Sequence, residues 1–177
     1  MVQIRYQRRD RRAYQIPWDN RSVAVKRNLR DAVGEFIRIS GPWNWWLGLT
    51  FAIPVTPDWA RRLLFDWTKA LARELRDHVK LAWVLDTNGN HGHFHALLSH
   101  SDVLPVTSAI LEDSWRSTAR GVTGISQIER YNEEKPAAFY IGNKTNQCEW
   151  DIWKVCPRRS QCKRKKGCVV WHQVALW

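Results

Sequence analysis

The chain has 177 residues, which suits one domain with a small appendage and is long enough to bury a hydrophobic core. Its formal net charge of +11 favours a polyanionic partner, with nucleic acid first and an anionic membrane surface second. No apolar run approaches the roughly 20 residues of a membrane span, and the N-terminus lacks the apolar stretch of a secretion signal. We therefore expect a cytoplasmic protein.

The basic residues are concentrated at the two ends of the chain. Residues 1–30 hold nine Lys or Arg against two acids, residues 148–177 hold seven against two, and the middle is close to neutral. Basic ends on a neutral core predict contacts with phosphate groups. The predicted DNA-binding residues are Arg8, Arg9, Arg11, Arg12, Arg158, Arg159, Lys163, Arg164, Lys165 and Lys166.

Residues 1–42 are predicted to form a basic N-terminal arm and a short helix. The arm contains paired arginines and little periodicity, so we expect it to order only on its ligand. Residues 22–39 place apolar side chains at helical spacing, and Gly41-Pro42 ends that pattern.

Residues 43–146 are predicted to form the core domain. A strand over 45–52 precedes a helix that begins at Thr56-Pro57 and extends to about residue 78. Strands at 81–86 and 91–98, a helix at 107–119, a strand at 122–128 and a helix from 137 complete the pattern. This order predicts an α+β fold, a ferredoxin-like (split βαβ) antiparallel sheet with helices on one face.

The second and third strands are predicted to form a hairpin that carries metal ligands. Asn88-Gly89 is a strong hairpin signal, and side chains alternate along a strand, so His91, His93 and His95 share one face. Pairing would bring Asp86 near them, and imidazoles with a carboxylate form a mixed divalent-metal site. Either Asp86 or His91 is the third ligand beside His93 and His95, and a His-rich hairpin without metal is the alternative.

The last predicted helix supplies a candidate nucleophile. Tyr140 and Lys144 are four residues apart, so they lie on one face of a helix. A tyrosine hydroxyl is a weak nucleophile that needs a polarised electrophile, and a metal on phosphate oxygens supplies that polarisation. Gly142 interrupts the helix and is a poor choice for a helix meant only to pack.

Three segments together resemble the motifs of HUH-type endonucleases, in that family's order: LGLTF at 47–51, HFH at 93–95 and AAFYIGNK at 137–144. Asp86 lies where many relatives have a metal-binding Glu. Within the family the chain is most similar to rolling-circle replication initiators with a single catalytic tyrosine.

The resemblance implies nicking and joining of single-stranded DNA, or of a hairpin at a replication origin, with Mg²⁺ or Mn²⁺. Tyr140 would form a 5′-phosphotyrosine intermediate, assisted by Lys144, to initiate rolling-circle replication of a plasmid or phage. No phosphate-binding GxxxxGK loop is present, so a separate helicase is expected. The alternatives are a single-strand transposase of the same class, a non-catalytic DNA-binding protein and a metal enzyme of unrelated chemistry.

Residues 147–177 are predicted to form a Cys-rich basic tail. Four cysteines within a short segment of a cytoplasmic protein are typical of structural zinc. Their spacing is not that of paired Cys-x-x-Cys motifs, so unligated thiols and disulfides stay open, and His172 could replace one cysteine. The candidate ligands are Cys148, Cys156, Cys162 and Cys168.

Overall fold

The computed structural model describes residues 23–87, 91–101, 105–134, 137–145 and 148–157. Their elements are, in chain order, α1 (Val23–Ile39), β1 (Trp45–Phe51), α2 (Pro57–Glu74), β2 (Val79–Asp86), β3 (His93–Ser99), α3 (Ser108–Thr118), β4 (Thr123–Arg130), α4 (Ala137–Lys144) and β5 (Glu149–Val155). The predicted α+β class is confirmed. Across these ranges, none of the helices has the length and apolar character needed to cross a membrane.

The described strands form one antiparallel sheet in the order β4-β1-β3-β2-β5. The predicted hairpin of β2 and β3 is present, and its register sets Asp86 directly opposite His93. On the other side of β3, Gly48 of β1 lies opposite His95. Because paired residues share a face of the sheet, this register decides which side chains can meet the histidines.

The larger hydrophobic core lies on one face of the sheet, under α2 and α3. Trp67, Trp83 and Trp115 are buried there. The side chain of Thr56 accepts a hydrogen bond from the backbone N–H of Trp59, which confirms the predicted start of α2. The Trp67 and Trp115 rings meet edge to face, and this contact favours one relative orientation of the two buried rings.

A second, smaller core lies on the opposite face of the sheet, under α1 and α4. This differs from the predicted placement of helices on one face. Apolar side chains recur along both helices, Val33 and Ile37 on α1 and Ala138 and Ile141 on α4, and all four are buried. Such stripes need an apolar partner, and β2 and β3 provide it with Ala82, Val84 and Leu97.

The sheet continues into the segment that was predicted to be the start of the tail. β5 pairs with β2 along its length and forms the edge of the sheet. Ile152 and Trp153 are buried on opposite faces, each in a different core. A short strand next to a predicted domain boundary has too few residues for a clear alternating pattern, which explains why the sequence analysis did not predict β5.

Close packing of α4 against α1 requires a glycine at position 142, which the sequence context did not reveal. A Cβ built on Gly142 would lie 2.8 Å from the backbone nitrogen of Gly34 and 2.9 Å from the carbonyl oxygen of Arg30. A Cβ on Gly34 would in turn lie 2.5 Å from the ring of Phe139. The two helices therefore touch backbone to backbone, and this close approach sets the depth at which α4 lies on the sheet.

Gly142→Ala should destabilise the protein by about 1–2 kcal/mol. The new Cβ would meet backbone atoms of α1, so its overpacking cost lies at the upper end of the usual range, at about 2–3 kcal/mol, and the gain in helix propensity offsets only about 1 kcal/mol of it. Chemical denaturation measures this loss. Gly48→Ala is the matched control, since its Cβ would meet nothing closer than 3.6 Å. Equal stability of Gly142→Ala and the wild type would contradict the close crossing.

Candidate metal centre

Three potential metal ligands converge at the end of the hairpin. β3 begins at His93, so His93 and His95 point to the face that carries the second core while Phe94 points into the larger core. β2 ends at Asp86 on the same face. One ligand atom from each of these three side chains lies within 4.8 Å of the others. Among the described residues, this is the one group of three or more His, Cys, Asp or Glu side chains that could hold a metal ion.

His91 lies outside this group. It is exposed and precedes β3 in a bend rather than in the strand, so strand alternation does not apply to it. The structure therefore places Asp86 in the third position beside the two predicted histidines, and His91 at the rim of the hairpin.

The three donors are compatible with a divalent cation. An octahedral ion with bonds of about 2.1 Å places its ligand atoms between roughly 3 and 4.2 Å apart. His93 Nε2 and Asp86 Oδ2 are 3.9 Å apart, inside this range. The group as a whole spans up to 4.8 Å, so its atoms need only a small inward movement. Two imidazoles and one carboxylate leave coordination positions for a substrate oxygen.

Asp86 is a buried carboxylate whose negative charge is paired. Its side chain is 4% exposed, and Lys144 Nζ lies 2.8 Å from Oδ2. A buried charge is costly unless it is paired and hydrogen-bonded. The hydrogen bond to Asp86 raises the pKa of Lys144 above its ordinary value, so this ammonium stays charged at neutral pH.

Helix α4 also brings Tyr140 to the histidines. The Tyr140 hydroxyl oxygen lies 3.3 Å from His95 Nε2, and the hydroxyl donates when that nitrogen carries no proton. Lys144 Nζ is 5.9 Å from the centre of the Tyr140 ring. The predicted shared face of Tyr140 and Lys144 is thus present, and it faces the ligand group. Tyr140 is 40% exposed, so its side chain is accessible from solvent.

Trp46 is a part of this site that motif reasoning did not assign. Its ring stacks on the His95 imidazole with centroids 5.6 Å apart and an angle of 16° between the planes. It also meets the Tyr140 ring edge-on at 5.8 Å. Side-chain alternation along β1 places Trp46 on the face opposite to Trp45, away from the larger core. This ring restricts the orientations open to His95.

His95 is held as a neutral imidazole. Burial, and next the nearby His93, lower its pKa from 6.5 to about 4. The neutral ring is the form that binds a metal ion. Its Nδ1 is buried and has no hydrogen-bond partner within the described part of the chain, so an ion does not reach it, whereas Nε2 lies beside the hydroxyl of the partly exposed Tyr140. Nε2 is therefore the nitrogen available for coordination.

The cysteines are described only in part. Cys148 has a free thiol, is half-buried beside the second core, and has a pKa raised by burial. Cys156 takes part in a disulfide, so the zinc prediction applies to the reduced protein. Cys162, Cys168, His172 and all ten predicted DNA-binding residues lie outside the described residues. Zinc binding and the phosphate contacts of the two ends stay predictions.

No protein-family model, no curated protein and no solved structure matches the chain.

The low pKa of His95 predicts a pH dependence of stability in metal-free protein. Between about 4 and 6.5 the unfolded chain binds a proton at this residue that the folded chain does not. The free energy of unfolding should therefore increase with pH across this window and lose this contribution as pH falls. Urea unfolding with a chelator present measures it. His95→Gln should flatten the dependence, whereas the control His91→Gln should retain it; an unchanged slope in His95→Gln would contradict the assignment.

Proposed function

We propose that this protein is a metal-dependent endonuclease of the HUH type that nicks and joins single-stranded DNA through Tyr140. The observation that carries the proposal is the contact between the Tyr140 hydroxyl and His95, 3.3 Å apart, beside the Asp86 and His93 donors. A nucleophile that attacks a metal-bound phosphate must lie close to the metal ligands, as Tyr140 does here.

The fold supports this proposal independently of the side chains. Four of the five strands occur in the order β4-β1-β3-β2, with α2 between β1 and β2 and α3 between β3 and β4. That connectivity is consistent with a split βαβ, ferredoxin-like core. The two histidines lie on β3 at its centre, and the tyrosine helix follows β4, as the motif order of the resembling family requires.

Asp86, His93 and His95 would hold Mg²⁺ or Mn²⁺, which when bound polarises and orients the scissile phosphate. Tyr140 gives its proton to solvent and its oxygen attacks phosphorus. The new bond joins tyrosine oxygen to phosphorus, while the bond from phosphorus to the departing 3′ oxygen breaks and that oxygen takes a proton from solvent to leave as a 3′-OH. Attack by a later 3′-OH on the phosphotyrosine reverses these changes and joins two ends without another energy source.

Lys144 and Trp46 have supporting roles in this scheme. The Lys144 ammonium is one helical turn from the nucleophile, where it offsets the negative charge that gathers on the phosphate during attack. Trp46 packs against both His95 and Tyr140 and keeps the two rings close. Tyr131 packs against the second core, which supports a mechanism with one nucleophilic tyrosine.

The substrate that fits this chemistry is single-stranded DNA or a DNA hairpin. A basic N-terminal arm and a basic tail would hold its phosphates in a salt-dependent way. Initiation of rolling-circle replication of a plasmid or phage is the process we assign, with a separate helicase to unwind the duplex.

His93→Ala and His95→Ala should each abolish DNA cleavage, because each removes one of three metal donors. His91→Ala is the matched control, since it removes an exposed histidine from the same hairpin but leaves the donor group intact. Cleavage of labelled single-stranded DNA with Mn²⁺ measures the effect. Cleavage by His93→Ala at the wild-type rate would remove the metal centre from the mechanism.

Tyr140→Phe should abolish cleavage and the covalent protein–DNA adduct together, because one oxygen makes both. The ring and its packing remain, so stability and DNA binding should change little. Lys144→Ala should slow the reaction by about 100-fold while the adduct still forms. Denaturing gel electrophoresis of protein incubated with labelled DNA detects the adduct. Tyr131→Phe is the control, and comparable nicking by Tyr140→Phe would mean that water or another residue is the nucleophile.

A further inference from the structure

Two side chains of α4, those of Lys144 and Tyr140, contact atoms that a metal ion needs. Lys144 Nζ is 2.8 Å from Asp86 Oδ2, the oxygen that also lies nearest to His93. The Tyr140 hydroxyl oxygen is 3.3 Å from His95 Nε2, the nitrogen available for coordination. Two of the three donor groups are therefore engaged by the same helix.

Neither contact can persist unchanged when an ion binds. An ion at Asp86 Oδ2 would be close to the Lys144 ammonium, and two positive charges at that distance repel strongly where solvent screening is weak. Coordination of His95 Nε2 uses the lone pair that accepts the Tyr140 hydrogen bond. Metal binding and the α4 contacts thus compete for the same atoms.

We propose that Lys144 and Tyr140 occupy the ligands of the metal-free protein and that the entering ion displaces both side chains from Asp86 and His95. This inference rests on the proposed function, in which the released groups are the nucleophile and its assisting ammonium. Lys144 stands in for the cation by pairing with the buried carboxylate, and only the metal-loaded site presents both groups to a phosphate.

If the ion displaces Lys144 and Tyr140, the affinity of the protein for metal depends on the strength of the two α4 contacts. A contact that must break before the ion binds lowers the apparent affinity, and removing the contact raises it by the same free energy. The loss of Lys144 should therefore strengthen metal binding. This is opposite in direction to the loss expected if Lys144 merely holds Asp86 in a binding-competent position.

The experiment is calorimetric titration of the full-length protein with Mn²⁺ in the absence of DNA. Lys144→Met, which keeps an unbranched side chain one atom shorter and removes its charge, should bind Mn²⁺ at least about 10-fold more tightly than the wild type. Tyr140→Phe should show a smaller increase, because its contact is longer and uncharged. Asn143→Ala is the matched control, since Asn143 is an exposed residue of the same helix, and its affinity should equal that of the wild type.

Equal or weaker Mn²⁺ binding by Lys144→Met would overturn the exchange. Absence of Mn²⁺ binding by every variant would overturn the metal centre and the proposed function with it. Tighter binding by Lys144→Met, together with failure of the wild-type protein to nick DNA, would support the exchange and refute the proposed function. The two proposals can therefore fail separately.

A measurement on the unmutated protein covers the case in which Lys144→Met does not fold. Acetylation with a small anhydride, followed by mass spectrometry of peptides, reports how available each lysine is. Mn²⁺ should increase the acetylation rate of Lys144, because its ion pair with Asp86 is broken. Lys69, paired with Asp66 on the surface of α2, is the internal control and should react at the same rate with and without metal. An unchanged or reduced rate at Lys144 would overturn the exchange.

Discussion

The buried carboxylate of Asp86 is the constraint on which the arrangement of the site depends. β2 delivers this charge to the end of the sheet, where its side chain is 4% exposed. A charge so placed requires a cation, and the protein provides Lys144 from a helix almost sixty residues later in the chain. The same pairing ties α4 to the hairpin. The requirement for a positive partner therefore explains both the position of α4 and why the site is suited to a metal ion.

The depth of α4 on the sheet is set by the two glycines at its crossing with α1. Because Gly34 and Gly142 let the backbones touch, the helix lies low enough for Tyr140 and Lys144 to reach the strands. The crossing also explains why α1, which precedes the sheet in sequence, forms part of the second core. A helix expected to be an accessory of the basic arm is thus a support of the site.

Trp46 is the residue of β1 that contacts the candidate metal site. Its side chain lies on the same face as the histidines, stacks on His95 and touches the edge of Tyr140. Burial of His95, and next the nearby His93, lowers its pKa to about 4 and so keeps the imidazole neutral. The aromatic side chains of the first strand therefore pack in both cores, with Trp45 in the larger one and Trp46 beside the candidate metal ligands.

The sequence by itself determined the elements with strong periodicity or clear turn and cap signals: α2, the β2–β3 hairpin, and the facing of His93 and His95. These are local properties, set by side-chain alternation and by the residues at turns and helix ends. Only the tertiary structure decided the contribution of β5, the face on which α1 and α4 lie, and the contacts Lys144–Asp86 and Tyr140–His95. Each of these depends on residues far apart in the chain. Gly142 shows the difference most directly, since its sequence context argued against a packing role and the close approach of Gly34 requires one.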